Sequence, residues 1–414
     1  VAGVLAYRLA RRWALAYAAA GLAVAPVGVS ALAVAARRAQ RATLRRIARF
    51  PEHLHAVAEG RPSPLPAPRV ARIDARHRVV ITSDLHRCIP GRLDWPERQG
   101  TKELYHRVLS GYAEDGWHLV ENGDVEDFWM VGGSTWGAVY DVARLAGGAG
   151  GRLADGPRRE LLREHLDRIV DNNAATYRLL RDGFCGDGRY HRTMGNHDDV
   201  LTDPDLVAHL AHHLPGTDVV DSLLLTRDGA GDADGIGGVE AVVAHGHLTD
   251  AWNGPGFAML GQAVTWFATG LDDLPRVASS VDGLPDEEAT GRLLRGRGRN
   301  RLITLDPRFG GNRRFDSLDE QRLFDALDAA APEGGWPWLL FGHTHFPMLL
   351  PQGADGRAVR YANSGCGVLE GAVSLLEWDP ASGRDVRLVL WVDDDDGPRR
   401  VVLEPDGPVL APVG

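Results

Sequence analysis

Short apolar runs along the chain are each followed at once by glycine, an acidic residue or histidine. Their length and their content of valine, leucine and isoleucine are typical of buried strands. Polar residues of metal-binding type therefore gather where predicted strands end. The runs are 79–82, 119–120, 190–194, 239–244 and 338–341.

Between these runs, apolar positions recur every three or four residues, which predicts helices over 103–112, 158–181, 204–213 and 318–330. Strands that alternate with helices predict an α/β fold, in which ligands collect at the carboxyl ends of the strands. Further apolar runs in the tail, around 361, 373–378 and 386–392, predict more strands and hence a mixed sheet or two stacked sheets.

The N-terminal region contains a run of 24 uncharged residues, 13–36. This run is long enough to cross a hydrocarbon core of about 30 Å, and the arginines that follow it predict a cytoplasmic C-terminal side. We therefore expect a single-pass anchor that holds the protein at the cytoplasmic face of the membrane. The alternatives are an alanine-rich helix packed on a soluble cytoplasmic domain, and an export signal around Arg11-Arg12-Trp13.

These features divide the chain into three predicted regions. Residues 1–60 are predicted to form the apolar helix and a basic juxtamembrane helix, 61–69 a proline-rich linker, and 70–414 the main domain. About ninety residues separate His247 from Trp338, far more than a short connection needs, which predicts a cap-like insertion around 250–335.

Composition removes several classes of protein. A mean hydropathy of -0.20 excludes a polytopic membrane protein, and a net charge of -10 argues against nucleic-acid binding by bulk electrostatics. Three widely spaced cysteines do not make a disulfide framework. The single lysine, Lys102, does not lie in a phosphate-binding Gly-x-x-x-x-Gly-Lys loop, and the chain has no HExxH helix. Composition does not determine the oligomeric state.

The candidate chemistry lies in five blocks at the predicted strand ends. In a strand, residues i and i+2 point to one face, so both ends of Asp-x-His or His-x-His can reach one centre. Carboxylate, imidazole and amide ligands suit Mn, Fe, Zn or Co, and two such divalent ions would leave the centre positive and attractive to phosphate. The blocks are Asp84-Leu85-His86, Gly123-Asp124, Gly195-Asn196-His197-Asp198, His245-Gly246-His247 and Gly342-His343-Thr344-His345.

The ordered set resembles the calcineurin-like metallophosphoesterase superfamily over about residues 78–392. The resemblance implies a four-layer αββα sandwich with two divalent metal ions at the strand ends, and hydrolysis of a phosphoester or pyrophosphate by a metal-bridging hydroxide. It also implies a ligand set. Asp84, His86 and His345 would bind one metal, Asp124 would bridge, and Asn196, His245 and His343 would bind the other.

The same resemblance implies that His197 contacts phosphate and protonates the leaving oxygen, and that Asp198 orients His197. Asp127, three residues after the bridging acid, is a candidate for indirect support of the ligands. His247 either reaches the metal or substrate, or orients the site. Arg87 either binds phosphate or is solvated.

Two further features bear on the substrate class. The surroundings of the motifs loosely resemble the UDP-diacylglucosamine pyrophosphatase branch, and apolar residues of the insertion, among them Phe257, Leu260 and Phe267, recur at helical spacing. We therefore expect a phosphate-containing small molecule or a lipid-linked substrate at a membrane. The alternatives are a protein or small-molecule phosphomonoesterase and, in another class, a membrane-tethered metal-binding protein without catalysis.

Overall fold

The computed structural model contains two mixed β-sheets and flanking helices, an α/β sandwich. The two sheets pack face to face through a shared apolar cluster. The structure describes residues 26–65, 69–91, 94–129, 131, 155–227, 238–250, 318–345, 347–350, 359–369, 371–383, 385–394, 397–404 and 407–409.

The larger sheet has eight strands within the described residues, in the order β14-β13-β12-β11-β2-β3-β4-β5. Strands β2 to β5 run parallel to one another, and the β11 to β14 half is antiparallel. Its strands are β2 (Val79–Thr82), β3 (His118–Asn122), β4 (Tyr190–Thr193), β5 (Val219–Val220), β11 (Ala372–Trp378), β12 (Val386–Asp394), β13 (Gly397–Glu404) and β14 (Gly407–Val409).

The smaller sheet has six described strands in the order β1-β6-β7-β8-β10-β9. Its central pairs β7–β8 and β8–β10 are parallel, whereas β6–β7 and β9–β10 are antiparallel. Its strands are β1 (Val70–Asp74), β6 (Ser222–Thr226), β7 (Val239–Ala244), β8 (Trp338–Phe341), β9 (Pro347–Leu350) and β10 (Arg360–Ser364).

The helices follow the predicted spacing of apolar positions, with one difference. The predicted helix 158–181 is interrupted at Asn173, whose side-chain amide donates to the Ile169 carbonyl at 2.8 Å. The described α-helices are α1 (Pro26–Ala58), α2 (Trp95–Arg98), α3 (Lys102–Glu114), α4 (Asp155–Asn172), α5 (Ala174–Leu180), α6 (Pro204–His213) and α7 (Leu318–Ala329).

Alternation along the strands explains why the apolar runs are continuous. In β2, Val79 and Ile81 face the cluster between the sheets, while Val80 faces the helices α3 to α6. In β8, Leu340 faces the other sheet and Leu339 faces α1 and α7. Because both faces of these strands are buried, all their positions except Thr82 are apolar, and the predicted ligands follow the strand ends.

Helix α1 packs as part of this structure. Ile47, Phe50, Leu54 and Val57 follow a helical stripe and join the apolar cluster that α7 forms with the smaller sheet. The second half of α1 therefore packs on the domain that is predicted to begin near residue 70. The physical reason is that the second half of α1 is amphipathic, which the basic residues around it conceal in the sequence.

Two further expectations concern segments that the structure covers incompletely. Among the described residues, no helix combines the length and apolar character required to cross a membrane. Residues 13–25 of the predicted span lie outside the described part of the chain, and 26–36 belong to α1. Residues 251–317 of the predicted insertion also lie outside it, with Phe257, Leu260 and Phe267. Residues 318–329 form α7, whose Leu323, Phe324 and Leu327 are in the core.

Candidate metal centre

The ends of five strands bring the predicted ligands to one edge of the sandwich. Strands β2, β3 and β4 are adjacent and parallel, and Asp84, Asp124 and Asn196 follow their carboxyl ends. Strands β7 and β8 are likewise adjacent and parallel, and they lead into His245 and His343. Since parallel strands end at the same edge, residues that are far apart in the chain converge there.

Backbone conformation distinguishes these ligands from the rest of the described chain. Outside glycine, positive φ occurs in the described residues at five positions, and all five are predicted metal ligands. Such angles are rare for residues with a Cβ and cluster at functional sites, where the surrounding structure imposes them. The five residues are Asp84 (53°), His86 (46°), Asp124 (52°), His343 (73°) and His345 (57°).

Two glycines allow the loops to approach one another. A Cβ on Gly123, which has φ of 76°, would lie 2.6 Å from the His245 ring. A Cβ on Gly195 would collide with the carboxylate and backbone nitrogen of Asp124. Glycine is therefore required at both positions by close contact with the ligands themselves.

The first ligand group contains Asp84, His86 and His345, whose ligand atoms lie close enough to hold one ion. The Nε2 atoms of His86 and His345 face each other at 3.1 Å. Asp84 Oδ1 is buried and makes no hydrogen bond of good geometry, although His345 Nε2 lies 3.2 Å away. A buried carboxylate oxygen and two converging imidazole nitrogens are the donor set of a divalent cation.

The second group contains Asp124, His245 and His343. His245 Nε2 lies 3.2 Å from Asp124 Oδ2 and 3.2 Å from Asn196 Oδ1, so the predicted amide ligand joins this group. His245 Nδ1 is held by the Asn122 carbonyl at 2.9 Å. One nitrogen of the ring is thus fixed by the backbone, and the other faces the site.

Asp250 contacts a histidine of this second group, and the sequence patterns did not indicate this contact. Its Oδ2 lies 2.8 Å from His343 Nε2, while His343 Nδ1 is buried and makes no hydrogen bond within the described structure. A carboxylate that binds one ring nitrogen orients the histidine and leaves its other nitrogen available as a ligand. No motif spacing marks Asp250, because the contact depends on the turn after β7.

Each carboxylate is also tied to a backbone amide of a neighbouring motif. The His343 N–H donates to Asp84 Oδ2 at 2.9 Å, and the His197 N–H donates to Asp124 Oδ1 at 2.8 Å. One oxygen of each carboxylate is therefore fixed by the backbone while the other faces imidazoles. These bonds connect the β2 loop to the β8 loop and the β3 loop to the β4 loop.

Burial and charge oppose each other at the two carboxylates. Burial raises the pKa of Asp84, but the charges of His245 and His345 outweigh it and lower the pKa to about 2. Burial also opposes ionisation of Asp124, yet His245 and His197 hold its pKa well below its usual range. At His245 the directions are opposite: burial lowers the pKa of the ring, but the charges of Asp124 and Asp84 outweigh burial and raise the pKa to about 10. The site therefore favours positive charge between two ionised carboxylates.

His197 lies beside the two groups, and the carboxylate nearest to its ring is that of Asp127. His197 Nδ1 is 3.2 Å from Asp127 Oδ1, and its Nε2 is 4.0 Å from Asp124 Oδ2. Trp129 stacks on the ring, with 3.7 Å between centroids, and donates from Nε1 to the Asn196 carbonyl. Burial lowers the pKa of His197, but Asp127 and Asp124 outweigh it and raise the pKa.

The expectation that Asp198 orients His197 is wrong. The Asp198 carboxylate points away, into the fold, where it accepts from the Gly195 N–H at 2.6 Å, the Val125 N–H at 3.2 Å and Arg192 at 2.9 Å. Asp198 thus shapes the loop that carries Asn196 and His197 instead of contacting the ring. Adjacent residues of this turn point in opposite directions, so spacing alone does not assign the partner.

Arg87 fits neither of its two expected roles. It is 3% exposed and forms an ion pair with Glu121. Its guanidinium is therefore neither solvated nor free to bind a phosphate group. Tyr105 and Tyr190 also donate to Glu121, at 2.8 and 2.6 Å. A buried ion pair needs such partners for its remaining hydrogen bonds. Glu121 lies on β3 and the two tyrosines on α3 and β4, so the sequence around Arg87 does not indicate them.

His247 is buried next to the second group, with its ring centroid 5.5 Å from that of His245 and 6.4 Å from that of His343. Burial, together with charge on His245 and His343, lowers the pKa of His247 to about 3. A neutral imidazole at this distance is compatible with either of its two expected roles, so its role stays a prediction.

Comparison with known proteins does not extend this picture. No known family model matches the chain, and a search of curated proteins finds no match. The interpretation therefore rests on the geometry. The buried Asp84 oxygen, the facing imidazoles and the strained ligand backbone fit two divalent ions, one in each ligand group.

Proposed function

We propose that this chain is a metallophosphoesterase with two divalent metal ions. The observation that carries the proposal is the convergence of two ligand groups on adjacent strand ends, with Asp124 between them and His197 beside them. The described sheets and helices are also compatible with the four-layer αββα sandwich that the sequence resemblance implies.

Asp84, His86 and His345 would hold one ion, and Asn196, His245 and His343 the other, with Asp124 shared. When bound, the ions acidify water and withdraw charge from phosphoryl oxygens. Two divalent ions bring four positive charges and the two carboxylates cancel two, so a phosphate group is attracted.

His197 would act as the proton donor to the leaving oxygen. Its raised pKa keeps the ring protonated to higher pH than an ordinary histidine. Asp127 at Nδ1 and the stacked Trp129 hold the ring so that Nε2 faces the Asp124 side of the site. The His197 side chain is 12% exposed, which leaves it within reach of a substrate that approaches from solvent.

The test uses the full chain, stripped of metal and reloaded with Mn²⁺. Its activity is measured on a phosphomonoester, a phosphodiester, a protein phosphopeptide, and a matched pair of nucleotide pyrophosphates with and without an acyl chain. We expect manganese-dependent hydrolysis of at least one substrate. Faster hydrolysis of the acylated pyrophosphate than of its partner without an acyl chain would favour a lipid-linked substrate. Stoichiometric metal binding without hydrolysis across the panel would instead indicate a metal-binding protein without catalysis.

A further inference from the structure

A second histidine–carboxylate cluster lies on two helices, outside the five motifs. His209 and His213 on α6 and Asp167 on α4 present three ligand atoms close enough to hold one ion. Both His209 Nε2 and His213 Nε2 lie 2.8 Å from the same oxygen, Asp167 Oδ1.

The helical spacing preorganises the two imidazoles. Residues i and i+4 lie one turn apart on one helix face, so His209 and His213 project side by side. Their rings meet edge to face, at 89° and 5.4 Å between centroids. Asp167 approaches from α4, which packs against α6 through Leu162, Leu166, Leu206 and Leu210 in one apolar cluster. The positions of all three ligands are thus set by packing.

We propose that this cluster binds a Zn²⁺ ion. Two imidazole nitrogens and one carboxylate oxygen are a three-protein-ligand zinc set, with a fourth position for water or another ligand. The side chains of His209 and His213 are 24% and 22% exposed, so the ion can enter from solvent. Tetrahedral ligands at about 2.0–2.2 Å from zinc lie roughly 3.3 Å apart, so each imidazole moves by about half an ångström.

The zinc ion ties together two helices that support the candidate metal centre. Helix α6 follows the segment that carries Asn196 and His197. Helix α4 carries His165, whose Nε2 lies 3.0 Å from the Asp127 carbonyl oxygen. Zinc at the α4–α6 cluster therefore stabilises the packing behind His197, and its effect is on stability and not on the chemistry at the strand ends.

The experiment measures zinc stoichiometry in the full chain by equilibrium dialysis at about 10 µM free Zn²⁺, a concentration that metal sites of moderate affinity fill, followed by elemental analysis. The variants are His213→Gln and Asp167→Asn, and the matched control is His212→Gln on the same helix. We expect wild type and His212→Gln to bind one equivalent more than either variant. Zinc should also raise the Tm of wild type by about 2 °C more than that of His213→Gln.

Circular dichroism verifies that each variant is folded, and Asp167→Asn retains the volume and one oxygen acceptor if His213→Gln is impaired. Equal zinc stoichiometry in wild type, His213→Gln and Asp167→Asn would overturn the proposal. So would an equal loss in His212→Gln, because the cluster would then not be the binding site. Since the readout is a difference in equivalents, it does not depend on whether the strand-end centre hydrolyses phosphate.

Discussion

The strand-end centre and the α4–α6 cluster use the same side chains in different physical settings. At the strand ends, Asp84 and Asp124 are at most 1% exposed, and five of the seven predicted ligands adopt positive φ. On the helices, Asp167 is 45% exposed and its partners lie at ordinary helical positions. The buried cluster is therefore held together by left-handed backbone, close-packed glycines and further hydrogen bonds, whereas the exposed cluster is held by the spacing of two histidines on one helix and by one neighbouring helix.

The largest expected effect is at the shared carboxylate. Asp124→Asn removes the charge that both metal ions would share under the proposed function, so binding of both metals should weaken and hydrolysis should fall by more than about a hundredfold. Metal content and activity are measured on the same preparation. Zinc at the α4–α6 cluster should be unchanged. Retention of both strand-end metals with full activity would contradict the assignment of Asp124.

The next prediction distinguishes the role of the Asp127 carboxylate from that of the Asp198 carboxylate. His197→Ala should lower kcat about 10²–10⁴-fold with metal retained. Asp127→Asn removes the charge that raises the pKa of His197, so the loss of activity with rising pH should begin at lower pH than in wild type. The measurement is the pH profile of kcat.

Asp198→Asn is the matched control, because its carboxylate contacts Arg192 and backbone amides and not the ring. It should lower Tm, since Arg192 loses a buried partner, without moving the pH at which activity falls. A shift of the pH profile in Asp198→Asn and none in Asp127→Asn would reverse the roles assigned here.

A smaller effect tests the close packing at the buried site. Gly195→Ala places a methyl group against the Asp124 carboxylate, so it should destabilise the protein by about 1–3 kcal/mol and weaken metal binding. Gly111→Ala, in α3, meets open space and should stabilise by roughly 0.5–1 kcal/mol. Urea unfolding and metal titration measure both. If Gly195→Ala changed neither stability nor metal binding, the loops after β3 and β4 could move apart, and the close contact would not be required.

The smallest effect concerns a third set of histidines, at the opposite edge of the larger sheet. His118 Nδ1 and His191 Nε2 lie 3.1 Å apart, at the start of β3 and β4. Burial, reinforced in both by His77, lowers the pKa of each to about 4 from an ordinary 6.5. The unfolded chain therefore binds protons between pH 6.5 and 4 that the folded chain does not, so stability falls as pH falls through this window.

Replacement of both residues by glutamine should make that fall shallower, as measured by urea unfolding at pH 7 and pH 5. An unchanged difference between the two pH values would mean that other groups, such as His53 with its pKa lowered to about 4 by burial, dominate the acid response. His118 and His191 contact each other and have lowered pKa values, whereas His245 at the strand ends lies beside carboxylates and has a raised pKa.

Local pattern was sufficient for the elements that surround the centre. The runs 79–82, 239–244 and 338–341 coincide with β2, β7 and β8, and 204–213 coincides with α6. Alternation and helical periodicity are set by burial on one or two faces, which the sequence records directly. Helix α1 was harder to interpret, because Ile47, Phe50 and Leu54 stand among arginines and a long alanine-rich run.

Residue chemistry in the motifs determined where cation ligands would lie, since Asp, His and Asn at strand ends converge wherever parallel strands are neighbours. Tertiary structure decided which side chains support them. Asp127 and not Asp198 lies beside the His197 ring. Asp250 contacts the His343 ring, and Glu121 forms an ion pair with the buried Arg87. The reason is physical: ligand identity depends on donor chemistry, whereas orientation depends on backbone angles and packing across loops that are distant in the chain.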